Sequence, residues 1–380
     1  MGDSDRVKQQ SSEAATVWFA PIRNPGKESL VDRVGKLVKR AGLGDIITKD
    51  DFVAIKLHFG ETGNTGFISP IFAREMVRLA KEAGGRPFLT DANTLYSGQR
   101  ANAVDHIACA LHNGFSFATV EAPIIIADGL DGRDSVEIPI EGSRHFESVR
   151  IGTAAMHADS LIVVTHFKGH ELTGFGGVFK NVGMGLGCRS AKQRMHADFK
   201  PEILADECTR CGRCVEGCSV GAMTLDRDSA VVDLELCIGC GECVARCSYG
   251  AISIKWKTDS TVAQEKIVDH AAAVLQAKKD KTLYLTFVTN VTPDCDCWDF
   301  TDAPLVADIG VLASLDPVAI EQAAYDLVVA APGAAGGAGE GMEPGEDKFA
   351  KVTGMDGSVT LEYAEARGLG TRQYELKTIR

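Results

Sequence analysis

Eight cysteines constrain this chain more tightly than any other feature of it. They fall as Cys208-x2-Cys211-x2-Cys214-x3-Cys218 and Cys237-x2-Cys240-x2-Cys243-x3-Cys247, and adding 29 to each position of the first set gives the second. The same shift maps Gly221-Ala222-Met223 onto Gly250-Ala251-Ile252, so the segment is an internal duplication. Three thiolates two residues apart can wrap three corners of one iron–sulfur cube, and the fourth, past a turn, reaches across to the other cube. The spacing assigns Cys208, Cys211, Cys214 and Cys247 to one [4Fe–4S] cluster. Cys237, Cys240, Cys243 and Cys218 fall to a second. Structural zinc would instead pair two short Cys-x2-Cys hooks across a longer gap.

Over about Ile203–Ile254 the chain resembles the bacterial two-cluster ferredoxins, which implies electron transfer through two all-cysteine clusters. One departure is visible: the Pro that usually follows the fourth Cys is Ser219 in one half and Ser248 in the other. Neither position is a ligand, so the departure bears on turn rigidity and on hydrogen bonding near sulfur. Arg210, Arg213 and Arg246 lie close in sequence and can offset the charge of anionic clusters.

The other properties agree with redox chemistry in a reducing compartment. Twelve cysteines with no apolar leader argue against a disulfide framework, and the expectation is a cytoplasmic protein. No apolar run approaches the roughly 20 residues of a membrane span. A net charge of −12, from 40 basic and 52 acidic residues, argues against nucleic acid as a partner.

Outside the repeat, short apolar runs alternate with helical patterns, which predicts a mostly parallel sheet covered by helices. Strands are expected at Val17–Ala20, Phe52–Phe59, Pro87–Thr90, near Ile124–Ile126 and Val136–Ile140, and at Leu161–Thr165, Leu283–Val288 and Leu305–Leu312. Helices are expected near Glu28–Arg40, after Ser69-Pro70, at Ala101–His112 and Val262–Gln276, and from Asp316-Pro317 through Val329. The expected organisation is a tail at 1–13 and an α/β domain at 14–199, interrupted by an α+β ferredoxin-like insert at 200–256. The domain resumes at 257–330. A Gly/Ala/Pro-rich loop at 331–350 is expected to be mobile, and 351–380 returns a helix and strand to the main domain.

Ligands of open parallel sheets bind at the carboxyl ends of the strands. Lys56 and His58 close one strand, Asp91 and Asn93 follow another, His166 follows a third, and Thr289 and Asn290 follow a fourth. If those strands are parallel, the groups converge on one edge. The stretch from His166 to Asn181 adds Lys168, His170, Thr173 and Lys180 around a glycine turn whose amides could cradle an anion. It is not a Walker A loop, and Gly183–Gly187 is not a dinucleotide fingerprint. Cys295-x-Cys297 could join Cys188 or a histidine as a third metal site, or be two free thiols; Cys109 reads as core.

The runs KLHFGE, TDANTLYSGQR, HFKGHELTGFGGVFKN, PDCDCW and DPVAI, together with the cysteine repeat, resemble the family named domain of unknown function 362, a group of iron–sulfur centre proteins. The His-to-Lys segment is also similar to one in the nickel-pincer lactate racemases, which would make Lys180 a cofactor-bearing lysine. The first reading is therefore an oxidoreductase or its redox subunit, taking electrons from a partner such as a ferredoxin or reductase. They would pass through the clusters to a small anionic substrate held by Lys56, His58, Asp91, His166, His170 and Lys180. A second reading is a non-catalytic electron carrier or a metal or cluster delivery factor. The third is a pincer-type isomerase with structural clusters. No flavin motif is legible.

Overall fold

The computed structural model describes residues 14–24, 26–95, 98–196, 201–218, 220–237, 242–247, 249–253 and 259–379. The expected tail at 1–13, the expected ligand Cys240, and Ser219 and Ser248 lie outside them.

Seven strands form the central sheet: β1 (Ala15–Pro21), β2 (Phe52–Lys56), β3 (Arg86–Thr90), β4 (Ser160–His166), β5 (Thr282–Val288), β6 (Gly310–Ser314) and β7 (Tyr374–Thr378). Their spatial order is β7-β1-β6-β5-β4-β2-β3. Pairing is parallel at β2–β3, β2–β4, β4–β5 and β1–β7, and antiparallel at β5–β6 and β6–β1. Within this sheet β6 alone runs against the rest, and the protein is α/β with a mostly parallel sheet. Among the described residues no helix is long and apolar enough to cross a membrane.

Strand side chains alternate between two cores, as the two-residue repeat of a strand dictates. Leu161 and Val163 enter one core, while Ile162 and Val164 enter the other. The second core is closed by α1 (Leu30–Arg40), α2 (Pro70–Glu82) and α3 (Ala103–His112). On the first face lie α5 (Ser260–Ala277), α6 (Pro317–Ala330) and α7 (Ser358–Ala366), and α4 (Arg189–His196) leads into the insert. Helix starts follow local chemistry. The side chains of Ser29, Asn102, Asp259 and Asp316 accept the first free N–H groups of α1, α3, α5 and α6.

Three expectations need correction. The Phe52–Phe59 strand ends at Lys56, because Leu57 leaves β2 and donates its N–H to the Thr90 carbonyl. Ile124–Ile126 is no strand; Ile124 forms only an isolated bridge to Leu89. The Leu305–Leu312 run enters the sheet only at Gly310, since Leu305 and Val306 bond sideways to Val291 and Gly333. In the 331–350 stretch, Ala334 N–H bonds Leu305 O at 2.8 Å, Gly333 N–H bonds Met342 O, and Gly345 N–H bonds Val329 O. It continues into a short helix at Lys348–Thr353 that the sequence did not suggest.

Between α4 and α5, residues 201–253 form a small unit with twofold internal likeness. Glu202–Ile203 pairs with Ile252–Ser253, and Met223–Leu225 with Ala230–Val232, both antiparallel. The 29-residue shift turns the pair Met223–Val232 into Ile252–Ile203, so the first strand of one copy closes on the last strand of the other. Gly221 and Gly250 share the left-handed turn, at φ 69° and 70°, which a side chain would strain.

Candidate functional site

The four parallel strands β3-β2-β4-β5 bring their carboxyl ends to one edge, and buried charge gathers there. Lys56, the last residue of β2, bonds Asp91 at 3.0 Å and the Asn181 side-chain oxygen at 2.6 Å. Gly185 leaves the room this needs, since a Cβ there would lie 2.6 Å from the Lys56 Nζ. Burial brings the Lys56 ammonium down to about 8, although Asp91 supports it. Burial pushes the Asp91 carboxyl the other way, but the Lys56 and Arg100 charges overcome it and hold Asp91 at about 2. His106 is buried with neither ring nitrogen hydrogen-bonded, and burial keeps it neutral, at about 3. Behind this pair, Asn93 donates to Asp128, a carboxyl that burial pushes up to about 7.

His166, the end of β4, is clamped on both sides. Its Nδ1 lies 2.9 and 3.0 Å from the two Asp296 oxygens, and its Nε2 lies 3.0 and 3.1 Å from the carbonyls of Asn290 and Thr289. Lys168 Nζ joins Asp296 at 3.2 Å. Burial would raise the Asp296 carboxyl, yet His166 and Lys168 hold it below the usual carboxylate range.

The chain approaches closely here. A Cβ on Gly169 would stand 2.0 Å from Pro293 O, and the Gly169 N–H bonds Thr292 O. That contact seats the Cys295–Cys297 turn against the His166–His170 segment. The two sulfurs are 3.2 Å apart, with His58 Nε2 3.5 Å from Cys297 and Lys180 Nζ 3.9 Å from Cys295. His58 Nδ1 accepts from Gly60 N–H, so its Nε2 carries the proton toward sulfur. The Cys295 hydrogen bond, with His58 and Lys180 nearby, holds the Cys297 thiol well below its ordinary value, and the same coupling pushes Cys295 up. His170 Nδ1 accepts from Leu172 N–H, and burial with Lys180 alongside keeps that ring neutral. Lys180 opens a wide, π-type turn, Lys180–Met184. Buried Glu321 accepts the Phe179 N–H just before it, at 3.1 Å, and burial pushes this carboxyl to about 8.

The sequence-predicted residues Lys56, His58, Asp91, His166 and Lys180 thus meet on one edge, with His170 beside Lys180. Cys188 does not join the cysteine pair. It bonds Ser190 at 3.3 Å inside an apolar group with Met184, Ala191, Met195 and Ile267. Among the described residues no three His, Cys, Asp or Glu side chains are placed to hold a single metal ion. Cys109 is core, as read. Asp296, Asn181, Asp128 and Glu321 were missed. Only Asp296 carried a signal, as the residue between two candidate cysteines.

In the small unit, Cys208, Cys211, Cys214 and Cys247 line one cavity with Leu225, Tyr249 and Ile252. Its empty volume, open mouth included, is about 330 Å³. The backbone N–H groups of Ala230 and Ala222 point at the sulfurs of Cys208 and Cys218, at 3.3 and 3.1 Å. Cys243 is buried beside Cys214, and Cys218 and Cys247 pack on the same apolar core. Helix α4 joins this unit to the edge. Burial lowers Arg189 at its start, and Asp128, Asp131 and Cys247 draw it back up. Burial and Lys180 keep His196 at its end neutral, at about 3, with Cys297 opposing. Eight helical residues span about 12 Å.

A family model described as Domain of unknown function (DUF362) matches residues 53–326. No curated protein matches the sequence. Among solved structures, a protein from Thermotoga maritima is 10% identical with a TM-score of 0.42, the match covering 79% of this chain and 57% of that one. The lactate racemase apoprotein from Thermoanaerobacterium thermosaccharolyticum is 16% identical with a TM-score of 0.34, covering 72% of this chain and 51% of that one. The chain spans just over half the length of each of these two proteins.

Proposed function

We propose that this chain, which belongs to the DUF362 family, is an iron–sulfur oxidoreductase or the redox subunit of one, with a site for a small anion at the carboxyl edge of its sheet. The observation that carries the reading is the ring of Cys208, Cys211, Cys214 and Cys247 around one cavity. A lone zinc ion draws its sulfurs to about 2.3 Å from one point, whereas among the described residues no three such ligands are placed to hold a single ion, and these four line a cavity instead. In the second set, Cys218, Cys237 and Cys243 accompany Cys240, which lies outside the described residues. When bound, two [4Fe–4S] clusters would supply one-electron transfer.

The chain's own groups prepare both places. Amide donors on Cys208 and Cys218 temper thiolate charge. At the edge, Lys56 and Lys168 each have a carboxylate partner, while Lys180 meets only the Cys295 sulfur among the described residues. An ammonium without a carboxylate partner favours a bound carboxylate or a developing oxyanion. His166 and Asp296 fix the walls of the site. The small unit also exposes Leu225, Leu234, Leu236 and Tyr249, an apolar surface suited to a docking redox protein.

Anaerobically purified protein should hold about eight irons and eight acid-labile sulfides per chain. Zinc-saturated protein without acid-labile sulfide, even after reconstitution, would overturn the reading.

A further inference from the structure

Cys295 and Cys297 belong to neither copy of the 29-residue repeat, and the charge network of the edge does not need them as ligands. They share one turn, closed by the Trp298 N–H on the Cys295 carbonyl at 3.2 Å. Between them, Asp296 points away into His166 and Lys168. That anchored middle residue holds both flanking sulfurs on the opposite side, 3.2 Å apart. A disulfide bond is about 2.05 Å long, so closure needs a sulfur shift of about 1 Å.

The two sulfurs differ in access. Cys295 is 3% exposed, while Cys297 is half-buried. The half-buried Cys297 faces the His58 N–H, and the buried Cys295 faces the Lys180 ammonium. Donors and cations beside sulfur favour the reactive thiolate. The third-ligand candidate, Cys188, is elsewhere, bonded to Ser190. This is the arrangement of an attacking thiol with a resolving thiol behind it.

We propose that Cys295 and Cys297 form a redox-active dithiol that closes reversibly to an intramolecular disulfide by exchange with external disulfides and thiols. On oxidation, the Cys297 thiolate attacks one sulfur of an external disulfide and expels one thiolate, leaving a mixed disulfide. The Cys295 thiolate then attacks the Cys297 sulfur and expels the second. Two S–H bonds are lost and one S–S bond forms. The two electrons and two protons leave on the two external thiols, and the reverse path reduces the pair with an external dithiol. The chemistry needs no cluster and is independent of the cluster reading.

Purified full-length protein is equilibrated with oxidised or with reduced glutathione, quenched in acid, alkylated and digested with trypsin. The peptide Thr282–Lys348 contains no internal Lys or Arg and no cysteine besides Cys295 and Cys297, so its mass reports this pair alone. Two alkyl groups are expected after reduction. After oxidation none is expected, with a mass lower by two hydrogens that dithiothreitol restores. In Cys295→Ser, Cys297 should instead stop at a stable glutathione adduct. Two alkyl groups under both conditions would overturn the proposal. So would glutathione on both sulfurs of the native chain, or protection lifted by a chelator, the last making them metal ligands. Because the peptide holds no cluster ligand, loss of the clusters leaves the readout intact.

Discussion

The cysteine-rich insert and the charged edge of the sheet concentrate unusual side chains by opposite means. In the insert, cysteines stand three or four positions apart along the chain. They pack on a core whose buried members are Cys214, Met223, Ala230, Cys243 and Ile252. At the edge, partners come from far apart: His166 and Asp296 are 130 residues distant, and His58 and Cys297 are 239. They rest on two extensive cores. A site made by local spacing sits on too little apolar burial to stand alone, and leans on what it binds. One made by a sheet stands without its ligand.

On the proposed cluster reading, the sharpest way to break that contrast is to strip the iron. Chelation under oxidising conditions should abolish hydrogen-exchange protection in Met223–Leu225 and Ala230–Val232 while β4 and β5 stay protected. Unchanged protection in the insert would place its stability in the chain alone. Next in size is Asp296→Asn, which leaves His166 and Lys168 buried without their carboxylate. It should lower unfolding free energy by about 3–5 kcal/mol in urea titration, with the cluster absorbance retained. A loss under about 1 kcal/mol would mean that water already serves those groups.

A smaller effect is expected for Lys180→Met. Affinity for whichever small carboxylate binds the native edge, found by thermal shift over a panel and measured by calorimetry, should fall by about 1.5–3 kcal/mol. Undiminished binding would move the anion elsewhere. The smallest effect is a pH dependence. Burial sets Lys56 at about 8, so its charge is present below that pH and lost above it. Anion affinity should weaken severalfold between about pH 7 and 9, and Lys56→Gln should flatten the profile. The sign for stability is the reverse. The folded value lies below the unfolded value of about 10.4, so burying the charge costs stability below about 8, and that cost is relieved as pH rises toward the unfolded value.

What could be read in advance follows the same divide. In the insert, spacing grouped Cys208, Cys211, Cys214 and Cys247, and these four line one cavity. The central strands β4 and β5 were legible as buried apolar runs, and so was the convergence of Lys56, Asp91 and His166, which needed only parallel neighbours. Asp296, Asn181 and Glu321 were not, because each acts through a partner more than a hundred residues away. The bridge at Leu89–Ile124 shows a similar limit: Ile124–Ile126 has strand composition but no second neighbour to extend the pairing.

The most direct test is an anaerobic crystal structure with the iron atoms located by anomalous scattering. The Cys247 sulfur should be bonded to the same iron–sulfur cube as Cys208, Cys211 and Cys214, with Cys218 on the other cube. Cys247 bonded to the cube of Cys237, Cys240 and Cys243, or zinc in place of either cube, would contradict it.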